Sequence, residues 1–311
     1  MDELANALAA VLGAAQVTEL TRLSGGASRD TFRFVADGRP LILQRQRAGD
    51  VRDMGVEAAV LKAVGAAGAP VATLLASSAD QSAIGAAYMI MTAVEGETIA
   101  RKILRDEVYA PARAALPAQL GAALAQVHAV DTSEMSALPT TDQVRQYRDM
   151  LDQLGQPHPT FELVFKWLDA NRPPSDRRVL VHGDFRLGNV IVGPEGLRAV
   201  LDWELAHLGD PMEDLGWLCV KAWRFGSPLP VAGVGDYQAL FDAYEAAGGG
   251  TVDPDVVRWW EVLGTLKWGI MCIMQANAHT SGMSRSHELA AIGRRVCENE
   301  HDLFLALEGR W

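Results

Sequence analysis

The chain contains few cysteines and no long hydrophobic run. Its three cysteines, Cys219, Cys272 and Cys297, are far apart among 311 residues and form no C-x-x-C pair. A few scattered thiols exclude a disulfide-stabilised scaffold and are typical of a protein from a reducing compartment. The longest apolar candidate for a membrane segment, residues 268–274, is much shorter than the roughly 18 residues that a spanning helix needs.

Positive charge is also scarce. The chain has 28 Lys and Arg against 39 Asp and Glu, which gives a net charge of −11 and argues against non-specific nucleic-acid binding. Asp2 and Glu3 stand where a secretory signal would carry basic residues. We therefore expect a cytoplasmic protein that binds neither nucleic acid nor a membrane. The length allows one large or two modest domains, and the oligomeric state is not predicted.

The most informative stretch runs from Leu180 to Trp217. A short apolar strand at 179–181 leads into the polar turn His182-Gly183-Asp184, and apolar runs follow at 190–192 and 197–201. The two later runs are separated by Gly193-Pro194-Glu195-Gly196, a dense turn signal. This pattern predicts an antiparallel hairpin behind a polar loop.

Three oxygen-bearing side chains are expected at the open end of this hairpin. Asn189 opens its first strand, Asp202 closes its second, and Asp184 lies on the loop that leads to the same end. Without His or Cys at ligand spacing, such oxygens suit Mg²⁺ better than Zn²⁺. Magnesium held by few protein oxygens usually takes its remaining ligands from water and substrate phosphates.

The arrangement D-x4-N, followed by an Asp thirteen residues on, resembles the catalytic core of protein-kinase-like phosphotransferases. His182-Gly183-Asp184 and Asp202-Trp203-Glu204, in place of the protein-kinase triplets, are similar to the aminoglycoside phosphotransferase and choline kinase branch. Within it, the stretch is most similar to kinase-like domains found alone in bacteria or associated with acyl-CoA dehydrogenases. The resemblance extends over nearly the whole chain but is specific only in residues 180–217.

The resemblance implies an α+β fold of two lobes. Residues 1–94 would form a small nucleotide-binding lobe with an antiparallel sheet, and residues 95–311 a larger, mainly helical lobe that carries the catalytic groups and the acceptor. The implied function is ATP- and Mg²⁺-dependent transfer of a phosphoryl group to a hydroxyl of a small molecule.

The same resemblance assigns roles within the central stretch. Asp184 would orient the acceptor hydroxyl and accept its proton, and Arg186 would contact the transferring phosphate. Asn189 and Asp202 would bind magnesium. Asp214 would hold the catalytic loop by hydrogen bonds rather than take part in the chemistry.

Two backbone segments of the small lobe would contact the nucleotide. Gly25, Gly26 and Ser28 lie in a bend between predicted strands, where the related enzymes place a loop over the ATP phosphates. A plain hairpin turn explains these residues equally well. Backbone groups of Thr92-Ala93-Val94, after the strand 88–91, would meet the adenine edge.

The cation that pairs with the phosphates is where the sequence departs from the family. Kinases place a Lys on the strand after the glycine-rich loop, paired with a helix Glu. The alignment puts Gln44 at that position, and strand alternation points Gln44 the same way as Ile42 and Arg45 away. We nevertheless favour Arg45, through a register one residue different, as the partner of Glu57 and of the phosphates. Glu57 is also compatible with an ordinary solvated helix charge.

Two other functions remain open from the sequence. Gln44 is compatible with a catalytically weak nucleotide-binding regulator. The His and Asp residues of the central stretch are compatible with a metal-dependent phosphohydrolase, which would need a second metal cluster that the sequence does not show. The sequence does not identify the phosphate acceptor or distinguish ATP from GTP.

Overall fold

The computed structural model describes residues 1–23, 29–47, 53–174 and 177–310. Gly25, Gly26 and Ser28, which were predicted to cover the phosphates, lie outside the described residues. None of the described helices is both long and apolar enough to cross a membrane.

The small lobe consists of one antiparallel sheet with a helix on each face. The strand order is β1-β2-β3-β5-β4. Asp37 and Gly38 both have positive φ, 47° and 78°, which is the backbone that a two-residue hairpin turn requires. The elements are α1 (Asp2–Leu12), β1 (Val17–Arg22), β2 (Arg29–Ala36), β3 (Arg39–Gln46), α2 (Met54–Ala66), β4 (Leu74–Ser78) and β5 (Tyr88–Thr92).

The two faces of this sheet belong to different hydrophobic clusters. Phe34 and Leu43 pack with Leu8 of α1 on the outer face. Met89 and Met91 point to the opposite face, where they join α2 and the core of the large lobe in one continuous cluster. Side chains of β2 and β3 therefore reach the cleft between the lobes only from this second face.

The large lobe is mainly helical and surrounds two short strand pairs. β6 pairs with β9, and β7 pairs with β8 in an antiparallel hairpin turned by Pro194-Glu195, as the sequence predicts. Its elements are α3 (Ala100–Arg105), α4 (Ala110–His128), α5 (Gln143–Leu154), α6 (Pro159–Ala170), β6 (Val179–Val181), β7 (Val190–Gly193), β8 (Gly196–Val200), β9 (His207–Gly209), α7 (Met212–Cys219), α8 (Tyr237–Ala246), α9 (Pro254–Thr280), α10 (His287–Ile292) and α11 (Val296–Leu307).

The chain that enters the large lobe is fixed directly to the central hairpin. The backbone N–H of Glu97 donates to the carbonyl of Val192 at 2.9 Å, and the reverse bond measures 3.0 Å. Gly96 has φ 154°, and a Cβ there would lie 2.8 Å from the Val192 carbonyl oxygen. Only glycine fits this approach, so the hairpin is held from the side of the small lobe as well.

Helices α7 and α9 approach closely because each presents a glycine to the other. A Cβ at Gly216 would lie 2.6 Å from the Cβ of Trp260 and 2.9 Å from the Val257 carbonyl oxygen. A Cβ at Gly264 would lie 2.8 Å from a methyl of Val220. Helix α7 carries residues of the candidate site described below, so this crossing sets their position.

We expect Gly216→Ala to lower the free energy of unfolding by about 1–3 kcal/mol, because the added methyl must displace backbone atoms of α9. Urea denaturation measures the change. Gly65→Ala in α2 is the matched control, since its Cβ would meet only a Val71 methyl at 3.3 Å and alanine favours the helix. Equal stabilities of the two variants would contradict this account of the helix crossing.

Candidate active site

The loop after β6 is held by the buried carboxylate of Asp214 on α7. The backbone N–H groups of His182 and Gly183 donate to its two oxygens at 2.8 and 2.9 Å. His128 Nε2 approaches the same carboxylate at 3.2 Å, and Tyr244 contacts the other ring nitrogen. Burial opposes ionisation of Asp214, but these hydrogen bonds outweigh it and lower its pKa. Its predicted role in fixing the loop is confirmed.

Both ring nitrogens of His182 have hydrogen-bond partners. Its Nε2 lies 2.8 Å from the carbonyl of Leu201, which can only accept, so Nε2 donates. Its Nδ1 accepts the backbone N–H of Asp184 at 3.2 Å. The buried His182 therefore joins the loop after β6 to the end of β8, and it packs against Trp203.

Asp184 occupies the centre of the candidate site. Its Oδ1 accepts a hydrogen bond from Trp217 Nε1 at 2.8 Å and one from Arg186 Nε at 3.0 Å. Its Oδ2 accepts from Asn189 Nδ2 at 2.6 Å. The carboxylate is thus fixed in orientation by three donors, as a group that positions a hydroxyl must be.

The side chain of Arg186 folds back toward Asp184, on the same loop. Besides its bond to Asp184, its guanidinium carbon lies 5.0 Å from the ring centre of Trp223. A Cβ at Gly188 would lie 2.3 Å from Arg186 Nη1, so the glycine makes room for this side chain. Arg186 is partly exposed and holds a fixed positive charge next to Asp184.

Asn189 and Asp202 meet at the open end of the β7–β8 hairpin. The Leu201 N–H donates to the Asn189 carbonyl at 2.8 Å, which brings the two chain ends together. Both bonds from Asn189 Nδ2 go to Asp184, to its backbone oxygen at 2.9 Å and to its carboxylate. The Asn189 amide oxygen is therefore the atom left for a ligand.

Asp202 lies in an electrostatically unfavourable position. Its backbone is left-handed, with φ 66° and ψ 68°, which is uncommon for a residue other than glycine. Burial raises its pKa, and the nearby charges of Glu204 and Asp184 raise it further. A carboxylate that is buried among like charges is stabilised by a bound cation.

The donor set fits magnesium and not a metal held wholly by protein. The described ranges contain no group of three or more His, Cys, Asp or Glu that could hold a metal ion. Asn189 and Asp202 offer oxygen atoms alone, and few of them. This is the pattern of a Mg²⁺ that completes its coordination with water and phosphates.

The structure corrects the prediction for Arg45. Arg45 lies on the outer face of the sheet, 5.8 Å from the ring centre of Phe32, and pairs with Asp30 at 3.7 Å. Glu57 instead forms a buried ion pair with Arg29 at the start of β2. The expected Arg45–Glu57 pair is wrong because the strand keeps its regular alternation, which turns Gln44 and not Arg45 toward α2.

Glu57 is a buried acid in an unfavourable field. Burial, with smaller contributions from the charges of Asp202 and Glu204, raises the pKa of Glu57 to about 7 against the opposing effect of Arg29. The Arg29–Glu57 pair is therefore exposed to the negative charge of Asp202 at the end of the hairpin.

Two of the three backbone N–H groups in the predicted hinge, residues 92–94, already donate hydrogen bonds within the small lobe. Ala93 donates its N–H to the Pro40 carbonyl at 3.1 Å, and Thr92 donates its N–H to the Thr73 carbonyl at 3.0 Å. An adenine contact from 92–94 would therefore use carbonyl groups or the N–H of Val94.

A cavity of about 230 Å³ opens beside the loop after β6. Gly183, which directly precedes Asp184 in the chain, lies in its wall. Its walls include Tyr147, Gly183, His207 and Lys267. A larger cavity of about 410 Å³ shares His207 with it as a lining residue. Each of the two spaces is large enough for a small molecule or part of one.

Sequence reasoning missed three residues of this region. Trp217 is three residues after Asp214 on α7, and helical spacing places both on one face toward the loop. Arg29 shares a strand face with Thr31 and Arg33, a period of two that could have pointed to the cleft. Lys267, in the middle of the long helix α9, carried no such signal.

Comparisons with known proteins agree with this geometry. The model of the phosphotransferase enzyme family matches residues 19–260. Acyl-CoA dehydrogenase family member 10 of Mus musculus is 32% identical over 227 residues, which are 68% of this chain and 21% of that protein. The chain thus spans only about a fifth of the length of this relative.

Two solved structures share the fold over nearly their whole length. A protein from Ralstonia eutropha that is assigned to the aminoglycoside phosphotransferases superposes with a TM-score of 0.80 at 23% identity, and 98% of each chain is covered. Spectinomycin phosphotransferase, solved with ADP and spectinomycin, gives a TM-score of 0.71 at 14% identity over 98% of each chain.

The fold is therefore the two-lobed, protein-kinase-like fold of these phosphotransferases, as the central stretch predicts. The chain belongs to the phosphotransferase enzyme family. The predicted likeness to proteins associated with acyl-CoA dehydrogenases is confirmed.

We expect Glu57 to make stability fall as the pH rises from about 4.5 to about 7. In this window the unfolded chain loses the Glu57 proton while the folded chain keeps it, so ionisation favours unfolding. Relative to Glu57→Gln, the free energy of unfolding should fall by an amount on the order of 3 kcal/mol and then level off.

Urea denaturation of both proteins across this pH range tests the expectation. Glu195→Gln is the control, because the hydrogen bond from Arg198 lowers the pKa of Glu195 and no fall in this window should result. Parallel pH profiles for wild type and Glu57→Gln would contradict it.

Proposed function

We propose that the protein is an ATP- and Mg²⁺-dependent phosphotransferase that acts on a hydroxyl of a small molecule. One observation carries the proposal: Asp184, Asn189 and Asp202 converge at one end of the central hairpin. A fixed carboxylate stands directly beside two oxygen-bearing side chains suited to magnesium. This is the minimum set that positions a hydroxyl against a metal-bound phosphate.

Asp184 supplies the base and the orientation. Its carboxylate accepts the proton of the acceptor hydroxyl while Trp217 and Asn189 hold it in place. Arg186 lies within hydrogen-bond distance of the same carboxylate, and its positive charge is suited to the phosphoryl group in transfer. Because these groups are fixed before the acceptor binds, little reorganisation is needed during the reaction.

Asn189 and Asp202 would hold the metal. When bound, Mg²⁺ would neutralise part of the charge on the nucleotide phosphates. His182 keeps Asp202 close to Asp184, because it bonds to the backbone on both sides. Asp202 enters this arrangement with a raised pKa, so cation binding and its ionisation are coupled.

The nucleotide would lie in the cleft between residues 1–94 and residues 95–311. Support comes from related folds, since structural neighbours were solved with ADP or AMP-PNP. The hinge 92–94 and the bend with Gly25, Gly26 and Ser28 keep their predicted adenine and phosphate contacts as part of this proposal.

The acceptor would enter the cavity lined by Tyr147, Gly183 and Lys267, since Gly183 is adjacent to Asp184. Structural neighbours were solved with spectinomycin or hygromycin B, which are small molecules with hydroxyl groups.

A cytoplasmic location stays a prediction. A metal-dependent phosphohydrolase has less support, because the described part of the chain offers no candidate metal cluster beyond the Asn189–Asp202 pair.

We expect Asp202→Ala to abolish the Mg²⁺ dependence of ATP binding and to weaken that binding, because Asp202 is the charged member of the metal pair. Calorimetry with ATP, with and without Mg²⁺, measures the effect. Glu195→Ala, an exposed carboxylate at the turn of the same hairpin, should bind like wild type. If Asp202→Ala binds ATP and turns over like wild type, Asp202 is not a ligand of the metal.

We expect Asp184→Asn to retain ATP affinity but to lower phosphoryl transfer by about two orders of magnitude or more, the usual effect of losing a positioned base. A panel of hydroxyl-bearing small molecules, monitored by ADP release, provides the acceptor and tests the function itself. Asp236→Asn, which retains the cap of α8, should match wild type.

An unchanged turnover number in Asp184→Asn would exclude its role as the base. Nucleotide binding without ADP release across the whole panel would favour a regulator over an enzyme.

A further inference from the structure

Arg29 is a buried charge whose donors are only partly used. Its side chain is 6% exposed and pairs through Nη2 with Glu57. Its Nε and Nη1 are buried and have no hydrogen-bond partner within the described residues. Unused donors of a buried guanidinium are costly, so this arrangement calls for an acceptor that the described residues do not supply.

The position of Arg29 is on the face of the sheet where a cation is missing. Arg29 stands opposite Gln46, and Gln44 stands opposite Thr31 in the same ladder. All of them lie on the face toward α2, because alternate residues of a strand share a face. The neutral Gln44 leaves this face without the charge that a kinase strand would provide, and Arg29 supplies one from the neighbouring strand.

A cavity lies between this cation and the residues that directly follow the central hairpin. Arg29 and Glu57 line a space of about 230 Å³ together with Trp203 and Glu204. Trp203 directly follows Asp202, the charged member of the proposed metal pair. The charge of Asp202 also contributes to the raised pKa of Glu57.

We propose that Arg29 is the small-lobe cation that binds the β- and γ-phosphates of the nucleotide, in place of a strand lysine. Phosphate oxygens accept the donors that Glu57 leaves unused, and Glu57 holds the guanidinium in position from the other side. Arginine suits this task because its planar, always charged group offers several donors to a phosphate. The proposal rests on the proposed function, since it requires that a nucleotide binds.

The test compares ligands that differ only in their phosphates. Calorimetry in the presence of Mg²⁺ gives the affinities of wild type and Arg29→Gln for ADP, AMP-PNP and adenosine. We expect the variant to lose about 10- to 100-fold in affinity for ADP and AMP-PNP and to bind adenosine within about twofold of wild type.

Arg45→Gln is the matched control, because it removes the same charge from the outer face of the sheet and should leave all affinities unchanged. Adding Gln44→Lys to Arg29→Gln should recover part of the ADP affinity by returning a cation to the cleft face. Equal losses for ADP and adenosine in Arg29→Gln, or a loss in Arg45→Gln as large as in Arg29→Gln, would overturn the proposal.

Two further results separate the possible failures. If Arg29→Gln does not fold, the double variant Arg29→Gln/Glu57→Gln removes both halves of the ion pair, and the same ratio of ADP to adenosine affinity decides. If the wild type binds ADP and the Arg29 variants keep the wild-type ratio of ADP affinity to adenosine affinity, only this inference is overturned. Wild type that binds no nucleotide overturns the proposed function and this inference together.

Discussion

The site depends on one buried carboxylate, Asp214. Its two oxygens accept backbone N–H groups from consecutive residues, His182 and Gly183, at the end of a three-residue strand. The strand β6 is too short to hold the loop by itself. Since α7 carries Asp214 and its packing against α9 is fixed by Gly216, the position of the loop follows from a helix crossing. Because Asp184 directly follows Gly183, its position and orientation are set by the same contacts.

The second constraint is an excess of negative charge. Burial and the charges of Glu204 and Asp184 raise the pKa of Asp202, and the charges of Asp202 and Glu204 add to the raised pKa of Glu57. The positive charges at the site, Arg29 and Arg186, are each already paired with a carboxylate. Such a cluster favours folding at low pH and binds cations readily at neutral pH. The cost in stability and the proposed capacity to bind Mg²⁺ would have the same physical origin.

The sequence predicts the hairpin and its converging side chains because these depend on short-range periodicity and turn chemistry. Asn189 and Asp202 could be placed from the run lengths alone. The partner of Glu57 could not, because that pairing depends on how α2 packs across the sheet, a tertiary contact with no local signature. Alternation already turned Arg45 away from the cleft, and the predicted Arg45–Glu57 pair is wrong because Glu57 pairs with Arg29 of β2. The contact of Trp217 with Asp184 was missed for a similar reason, although helical spacing places Trp217 beside Asp214.

Trp217 also links Asp184, the proposed base, to the proposed acceptor cavity. The Lys267 ammonium lies 4.7 Å from the centre of its ring, while Nε1 at the ring edge donates to Asp184 at 2.8 Å. The face of an indole is negative and its edge positive, so the cation and the carboxylate each meet the side of the ring that suits their charge. A cation on the face draws electron density toward itself and strengthens the donor at the edge. The orientation of Asp184 is therefore coupled through a single aromatic ring to Lys267, in the wall of the cavity proposed to receive the acceptor.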